Sequence, residues 1–413
     1  EVVPTTIMPR QDNNKKQAKE LPIEKVGAPI LSLPQPKPIS PIYENDKVEE
    51  KNFSFSYMGT TCEVRLPKDL NIRMSGCESC MIATIWKQLA TNAMDNTIRD
   101  FLALRLKMQL CDWAYLNLID TFAKAFCGHG NEAVIMAAFI YSQSGYKMRL
   151  GRDCEKLYLL YGSKHGIYEK GYIVIEGINY YPLDDKVERM EISDFSFPQE
   201  QSMSLYIENA QKFTIRPSAK RKLASEQYHD VTIDSQVNLN LIQFYNTYPS
   251  SEVNGNFMTR WKMYADTPMD ESVSQMLYPD IKNKIEGLSD VQAVNQILNW
   301  VQTAFQYEYD DKVWGHDRAF FAEETLYYPY CDCEDRAILF TRLVRDLLGL
   351  KCILVYYPGH LASAVCLKQQ VNGDYISLDG DVYTICDPTY IGAPVGITMP
   401  EMDNRSAKVI KLL

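Results

Sequence analysis

Apolar residues alternate over Phe53, Phe55 and Tyr57 and again over Cys62, Val64 and Leu66. A period of two sets side chains on alternate faces of a strand, so this stretch predicts a β-hairpin. From about residue 80 to 126 the spacing turns helical, with glycine rare and proline missing. The run Phe126-Cys127-Gly128-His129-Gly130-Asn131-Glu132-Ala133 opens a further helix reaching Gly145, and strand-like segments follow as far as Asp184. Alternation returns over Val231, Ile233, Val237, Leu239 and Leu241, and 291–305 predicts another helix. Then Ala337, Ile338, Leu339, Leu343, Val344, Leu347 and Leu348 give a wide apolar helix face that stops at Gly349. Two apolar strands, 353–357 and 361–365, flank the turn Pro358-Gly359, and a further strand is expected over 375–385.

The pattern repeats. Ala133 and Ala337, like Gly145 and Gly349, stand 204 residues apart, and Gly177 and Gly380, like Asp184 and Asp387, stand 203 apart. A near-constant offset across a helix and its strands predicts a duplicated unit. Residues 1–50, with Pro34, Pro36, Pro38 and Pro41, read as an extended leader. Residues 51–204 would be the first copy, and 205–413 the second with a β-rich lead-in. The chain begins at Glu1 rather than Met, which a removed signal peptide or a trimmed N-terminus would each explain; with the Pro-rich leader, an exported protein is the expectation.

The second copy carries the chemistry. Cys331-Asp332-Cys333-Glu334-Asp335-Arg336-Ala337 opens the apolar helix, Pro358-Gly359-His360 opens a strand, and Cys386-Asp387-Pro388-Thr389 closes one. Asp332 can cap the helix, which leaves Cys333 at its N-terminus, where the macrodipole favours thiolate over thiol. Glu334 and Asp335 oppose that charge, so an imidazolium at His360 must outweigh them. Asp387 would fix the ring's tautomer, and the Cys333 N–H is a natural oxyanion donor. Gln302, Tyr307, Tyr309 and Trp314 are candidates for a second donor or for lining the cleft. In the first copy the 204- and 203-residue offsets set His129 against Cys333 and Leu157 against His360, and only Asp184 survives.

Cys333-Glu334-Asp335 on a helix, Gly349, His360 at a strand start and Asp387-Pro388-Thr389 resemble the transglutaminase-like superfamily of papain-like cysteine enzymes. The lead-in Asn299-Trp300-Val301-Gln302, Tyr307 and Asp310 also looks like that family, so the resemblance covers about 290 to 392. Trp314-Gly315-His316-Asp317-Arg318 and Tyr356-Tyr357-Pro358-Gly359-His360-Leu361 are similar to exported bacterial members. The resemblance implies an α+β fold, papain/transglutaminase-like, with the Cys helix packed on an antiparallel sheet carrying His and Asp. It implies amide hydrolysis or acyl transfer through a Cys acyl-enzyme, on a protein or cell-wall peptide: Cys333 as nucleophile, His360 as general base and acid, Asp387 as orienter. One departure is Leu361-Ala362 after His360, where an aromatic often stands in the family. The competing class is a catalytically inactive binding or scaffold module, and a buried Cys333 would favour it.

Bulk properties narrow this further. Of 413 residues, 46% are apolar and 23% charged, ordinary for a folded protein. A net charge of −10 disfavours nucleic acid as partner. The apolar run 133–141 is far too short to span a bilayer. Eleven cysteines spread over the chain lack the density of a disulfide scaffold. Cys77-Glu78-Ser79-Cys80 has no second C-x-x-C or His pair near it, so no metal and no cofactor are expected. Cys331 is too close in sequence to Cys333 for an unstrained disulfide.

Overall fold

The Asp270 carboxylate, the Ser289 hydroxyl and the Asn238 amide each accept from the first backbone N–H groups of a following helix. These caps satisfy donors that a helix start leaves open, and they fix where three helices of the C-terminal half begin. In the computed structural model, residues 19–20, 24–26, 37–38, 50–184, 190–193, 196–197, 199–369, 371–402 and 406–413 are described. Most of the expected leader lies outside them. The chain divides into two compact units, one of Ile30–Thr214 with Thr247–Gly255, the other of Glu1–Pro29, Ile215–Asn246 and Asn256–Leu413.

In the N-terminal unit the expected hairpin is Phe53–Tyr57 against Thr60–Val64, with Phe53 opposite Val64. Met58 and Gly59 both take positive φ in its two-residue turn, which matches the twist of the flanking strands. Helices Ser79–Leu89, Asn92–Lys107 and Asp112–Cys127 follow, then Asn131–Gln143, whose residues from Ala133 on are nearly all buried. A curled antiparallel sheet comes next, in the order Glu191–Ser193, Met148–Asp153, Lys156–Ser163, Ile178–Pro182, Ile173–Ile175. Residues beyond 204 still belong here: the Lys212 N–H donates to the Met108 carbonyl at 2.8 Å, and the Gln211 amide to that of Gln109 at 2.9 Å. Ser251–Val253 pairs antiparallel with His165–Ile167. The division therefore falls at Thr214, ten residues later than the 204/205 boundary read from the offsets.

In the C-terminal unit the alternation over 231–241 resolves differently from expectation. Thr232–Ser235 is a strand, but Leu239–Tyr245 is a helix, because Asn238 caps it. Helices Met258–Asp266, Glu271–Ile285, Asp290–Thr303 and Ala322–Tyr327 lead to Cys333–Leu348. On that last helix Ile338, Leu339, Phe340, Leu343 and Val344 are fully buried, each stabilising the fold by about 1.5–3 kcal/mol. Gly349 ends it in the left-handed region at φ 63°. The expected single strand over 375–385 is a hairpin, Asp374–Leu378 with Asp381–Cys386, turned at Asp379 and Gly380.

The sheet of this unit runs Asp374–Leu378, Asp381–Cys386, His360–Val365, Cys352–Tyr357, Lys408–Lys411, all antiparallel. Labelled by position in the chain, its five strands lie in the same order as those of the N-terminal unit. Two short parallel strands, Lys19–Glu20 and Glu24–Val26, flank its opposite edges. Four residue steps reach at most about 14 Å, so the two edges must approach one another, and the sheet is curled into a half-barrel. The whole is a mixed α+β architecture. Among the described residues no helix is long and apolar enough to cross a membrane.

Candidate active site

The helix that carries Cys333 starts where it does because of Asp335. Its carboxylate accepts from the Asp332 N–H at 3.1 Å and from the Phe320 N–H at 2.8 Å, which anchors the first turn to the preceding loop. Asp335 is completely buried, and burial pushes its pKa up. Gly359 turns the chain at φ 80°, so that His360 opens the next strand opposite Tyr357.

His360 and Asp387 meet as expected. Imidazole Nε2 lies 2.8 Å from Asp387 Oδ2, with both side chains buried. Asp387 Oδ1 accepts from the Thr389 and Tyr390 N–H groups, at 2.9 and 3.2 Å, which leaves Oδ2 for the ring. The Tyr357 ring stacks beside the imidazole.

Gln302 does something other than expected. Its Nε2 donates to the carbonyls of Asp387, Tyr390 and Ala393 at 2.9, 2.9 and 3.0 Å, and its Oε1 accepts from the Gly392 N–H at 3.1 Å. With its amide hydrogens committed, Gln302 is not an oxyanion donor; it pins the loop that presents Asp387. The Gln302 carbonyl is in turn held by Arg336 of the Cys333 helix at 3.1 Å, whose guanidinium also reaches the Phe305 carbonyl. Arg336 and Gln302 thus tie the thiol's helix to the carboxylate's loop. The Arg after Cys-Glu-Asp was the visible sequence signal for this link.

Cys333 is 8% exposed and therefore buried. The Leu361 N–H, one residue beyond His360, lies close enough to the sulfur to favour thiolate. Burial, then the Glu334 and Asp332 carboxylates, outweigh it and push the thiol pKa well up. The sulfur sits 3.4 Å from Glu334 Oε2, and among the described residues it makes no hydrogen bond with the His360 ring. Glu334 Oε1 is 3.7 Å from Arg260, which also pairs with Asp317. Asp310 accepts from the Arg318 N–H at 2.5 Å, and burial lifts its pKa to about 7. Among the described residues, Asp332 Oδ1 is buried without a hydrogen-bond partner.

The donor atoms of Asp332, Cys333 and Glu334 lie within 4.8 Å of one another, as do those of Asp310, Asp317 and Glu334. Sulfur with oxygen suits a zinc-like ion in the first group, and oxygen alone a harder cation in the second. An acidic ring of this kind also stands without any ion when protons or Arg260 balance it.

Tyr307 lies near the thiol, its phenol pKa raised by burial and then by Cys333. Tyr309 packs edge-on against Tyr307 at 5.5 Å. Trp314 is drawn into an aromatic cluster with Phe320 and Tyr328, with the Arg318 guanidinium 4.2 Å from its ring centre. His316 turns back to the Trp314 carbonyl. Cys331 pairs opposite Tyr307 in a two-residue strand and directs its thiol to the Gln306 carbonyl, away from disulfide chemistry with Cys333.

The N-terminal unit shows what stands at the matching places. Its helix opens at Asn131, whose Oδ1 accepts from the Leu157 N–H at 2.9 Å and whose Nδ2 donates to the Glu155 carbonyl at 2.6 Å. The hairpin register pairs Asp153 with Lys156 as it pairs Tyr357 with His360. Lys156, not Leu157, therefore holds the place of His360, and Asn131, not His129, that of Cys333. Asp184 is exposed, 3.5 Å from Lys124. Cys127 ends the preceding helix, and His129 is exposed in the loop after it. Comparison of the chain with protein-family models, curated proteins and solved structures finds no match.

Proposed function

We propose that the chain is a transglutaminase-like thiol enzyme, an amide hydrolase or acyl transferase acting on a protein or cell-wall peptide. Its nucleophile is shielded in the state described. The observation that carries this is the arrangement of a helix-start Cys333 beside Leu361 and a buried His360 bonded to Asp387 at 2.8 Å. In the reaction, His360 takes the thiol proton and Cys333 sulfur attacks the amide carbonyl. The amine leaves with that proton and a thioester remains. Water or a second amine, deprotonated by the same imidazole, then breaks the C–S bond and returns the proton to sulfur. The Cys333 N–H meets the oxyanion, and Tyr307, a phenol that keeps its proton, is the better second donor now that Gln302 is committed.

The N-terminal unit, on this reading, is a decayed duplicate. Matching strand order and the matching helix-to-strand joints at Asn131 and Cys333 support that descent.

The second reading, a catalytically silent binding or scaffold module, rests on the burial of Cys333 and the acidic groups that raise its thiol. Iodoacetamide labelling of native protein, located by mass spectrometry over a pH series, separates the two. The enzyme labels at Cys333 ahead of its other ten cysteines near neutral pH, and His360→Ala slows that labelling about 100-fold. Labelling of Cys333 only at alkaline pH, unchanged in His360→Ala, leaves the binding module.

A further inference from the structure

We propose that Cys77 and Cys154 form an oxidisable pair that closes into an intrachain disulfide when a small-molecule disulfide, of the oxidised glutathione type, is present. This inference is independent of any chemistry at Cys333. Cys77 precedes the helix Ser79–Leu89, is almost completely buried, and places its sulfur 3.0 Å from the carbonyl oxygen of Cys154. Cys154 sits at the tip of the hairpin between Met148–Asp153 and Lys156–Ser163, with positive φ and an exposed side chain.

Covalent geometry keeps a residue's Cβ within about 3 Å of its own carbonyl oxygen. The Cys77 sulfur therefore starts within about 6 Å of the Cys154 Cβ, and a disulfide, with S–S about 2.05 Å, sets that sulfur about 3 Å from the partner's Cβ, so at most about 3 Å remains to be closed. A rotation of the exposed Cys154 side chain and a small shift of the hairpin tip cover that difference. Cys80, three residues on and exposed, is the rival thiol of the C-x-x-C motif. Cys77 is the better partner because its sulfur already rests on the Cys154 backbone.

Oxidation proceeds by two exchanges. The accessible Cys154 loses its proton, and its sulfur attacks glutathione disulfide, breaking that S–S bond and releasing one glutathione thiolate. Cys77, losing its proton, attacks the Cys154 sulfur of the mixed disulfide and releases the second. The two protons leave on the two glutathione thiols, and the protein has given up two electrons. Cys77 and Arg152 also line a cavity of about 600 Å³ with Ile82, Trp86, Ile192 and Phe197. The bond would fix one wall of that cavity, so the redox state would set how far it opens.

The full chain is treated with oxidised glutathione in mildly alkaline buffer, quenched with N-ethylmaleimide, digested without reduction and mapped by mass spectrometry. The expected result is a peptide pair joined through Cys77 and Cys154, two fewer free thiols, and a Tm raised by several degrees that dithiothreitol reverses. Cys154→Ser, at an exposed turn, should lose both the joined pair and the Tm rise, whereas Cys80→Ser keeps both. Cys154 found only as its glutathione adduct, or joined instead to Cys80, overturns the proposal.

Discussion

Two units build the same joint from different side chains. In each, the first residue of a helix lies near the backbone N–H one place beyond the start of the second strand, and in the N-terminal unit it is hydrogen-bonded there. Asn131 does this with an amide that both accepts from Leu157 and donates to Glu155. Cys333 meets Leu361 with a sulfur, a weak acceptor that offers nothing to the neighbouring carbonyl. Asparagine is the better structural part. A thiol kept there, against burial and beside two carboxylates, gives up about one net hydrogen bond, about 1 kcal/mol. Such a local loss is what a functional position looks like when the rest of the fold is consistent.

The units differ most in how the third position is held. Asp184 is exposed and pairs with Lys124, whereas Asp387 is buried in a loop that Gln302 fastens at four backbone groups. Gln302→Leu has similar bulk but takes the amide away from the Asp387 and Ala393 carbonyls and the Gly392 N–H, and leaves the Tyr390 carbonyl with the Ala393 N–H alone. Loss of about 2–4 kcal/mol of unfolding free energy is expected, measured by urea denaturation. If the variant is no less stable than wild type, the loop is held by its own turn and Gln302 is incidental.

Glu334 sharpens the comparison from the opposite direction. The matching Glu132 carboxylate accepts from the Met74 N–H at 3.0 Å, while Glu334 lies 3.4 Å from the Cys333 sulfur. A negative neighbour raises a thiol's pKa, so less thiolate exists at any given pH and the labelling curve is displaced to higher pH. Glu334→Gln removes the charge, so the curve should move to lower pH, with alkylation of Cys333 near neutrality about tenfold faster. An unchanged curve would mean that burial alone governs the thiol, with desolvation, the larger cause, leaving no room for charge.

Much of this was legible in the sequence, for a reason specific to each part. The helix at Cys333, its stop at Gly349 and the strand at His360 follow from apolar spacing and from glycine and proline at the turns. The meeting of His360 with Asp387 followed from motif context. What could not be read is set by contacts between distant segments. Leu239 and Leu241 continue an alternating pattern, yet Asn238 caps a helix there. Gln302 stands before the nucleophile as an oxyanion donor would, yet its amide is taken by a loop some 85 residues on. The acidic surroundings of the thiol were half visible, since Glu334 and Asp335 adjoin it, while Asp310 and Arg260 arrive from elsewhere. A constant offset hid a two-residue shift at the helix start, so it aligned His129 where the joint places Asn131.

The smallest effect tests the comparison itself. If Cys333 occupies a position designed for an acceptor, Cys333→Asn should install in the C-terminal unit the side chain that the N-terminal unit already uses. Its Oδ1 would accept from the Leu361 N–H, and its Nδ2 would donate toward Glu334, relieving a buried carboxylate. Added bulk in a buried site costs something, and the two new hydrogen bonds should exceed it, for a net gain of about 1 kcal/mol and a rise in Tm of a few degrees. The reciprocal Asn131→Cys should lower stability by about the same amount, and alkylation at position 333 disappears in the first variant by construction. Should Cys333→Asn instead unfold the unit while Asn131→Cys costs the predicted amount, the two helix starts are not equivalent. The shared strand order would then be a likeness of architecture without a shared joint.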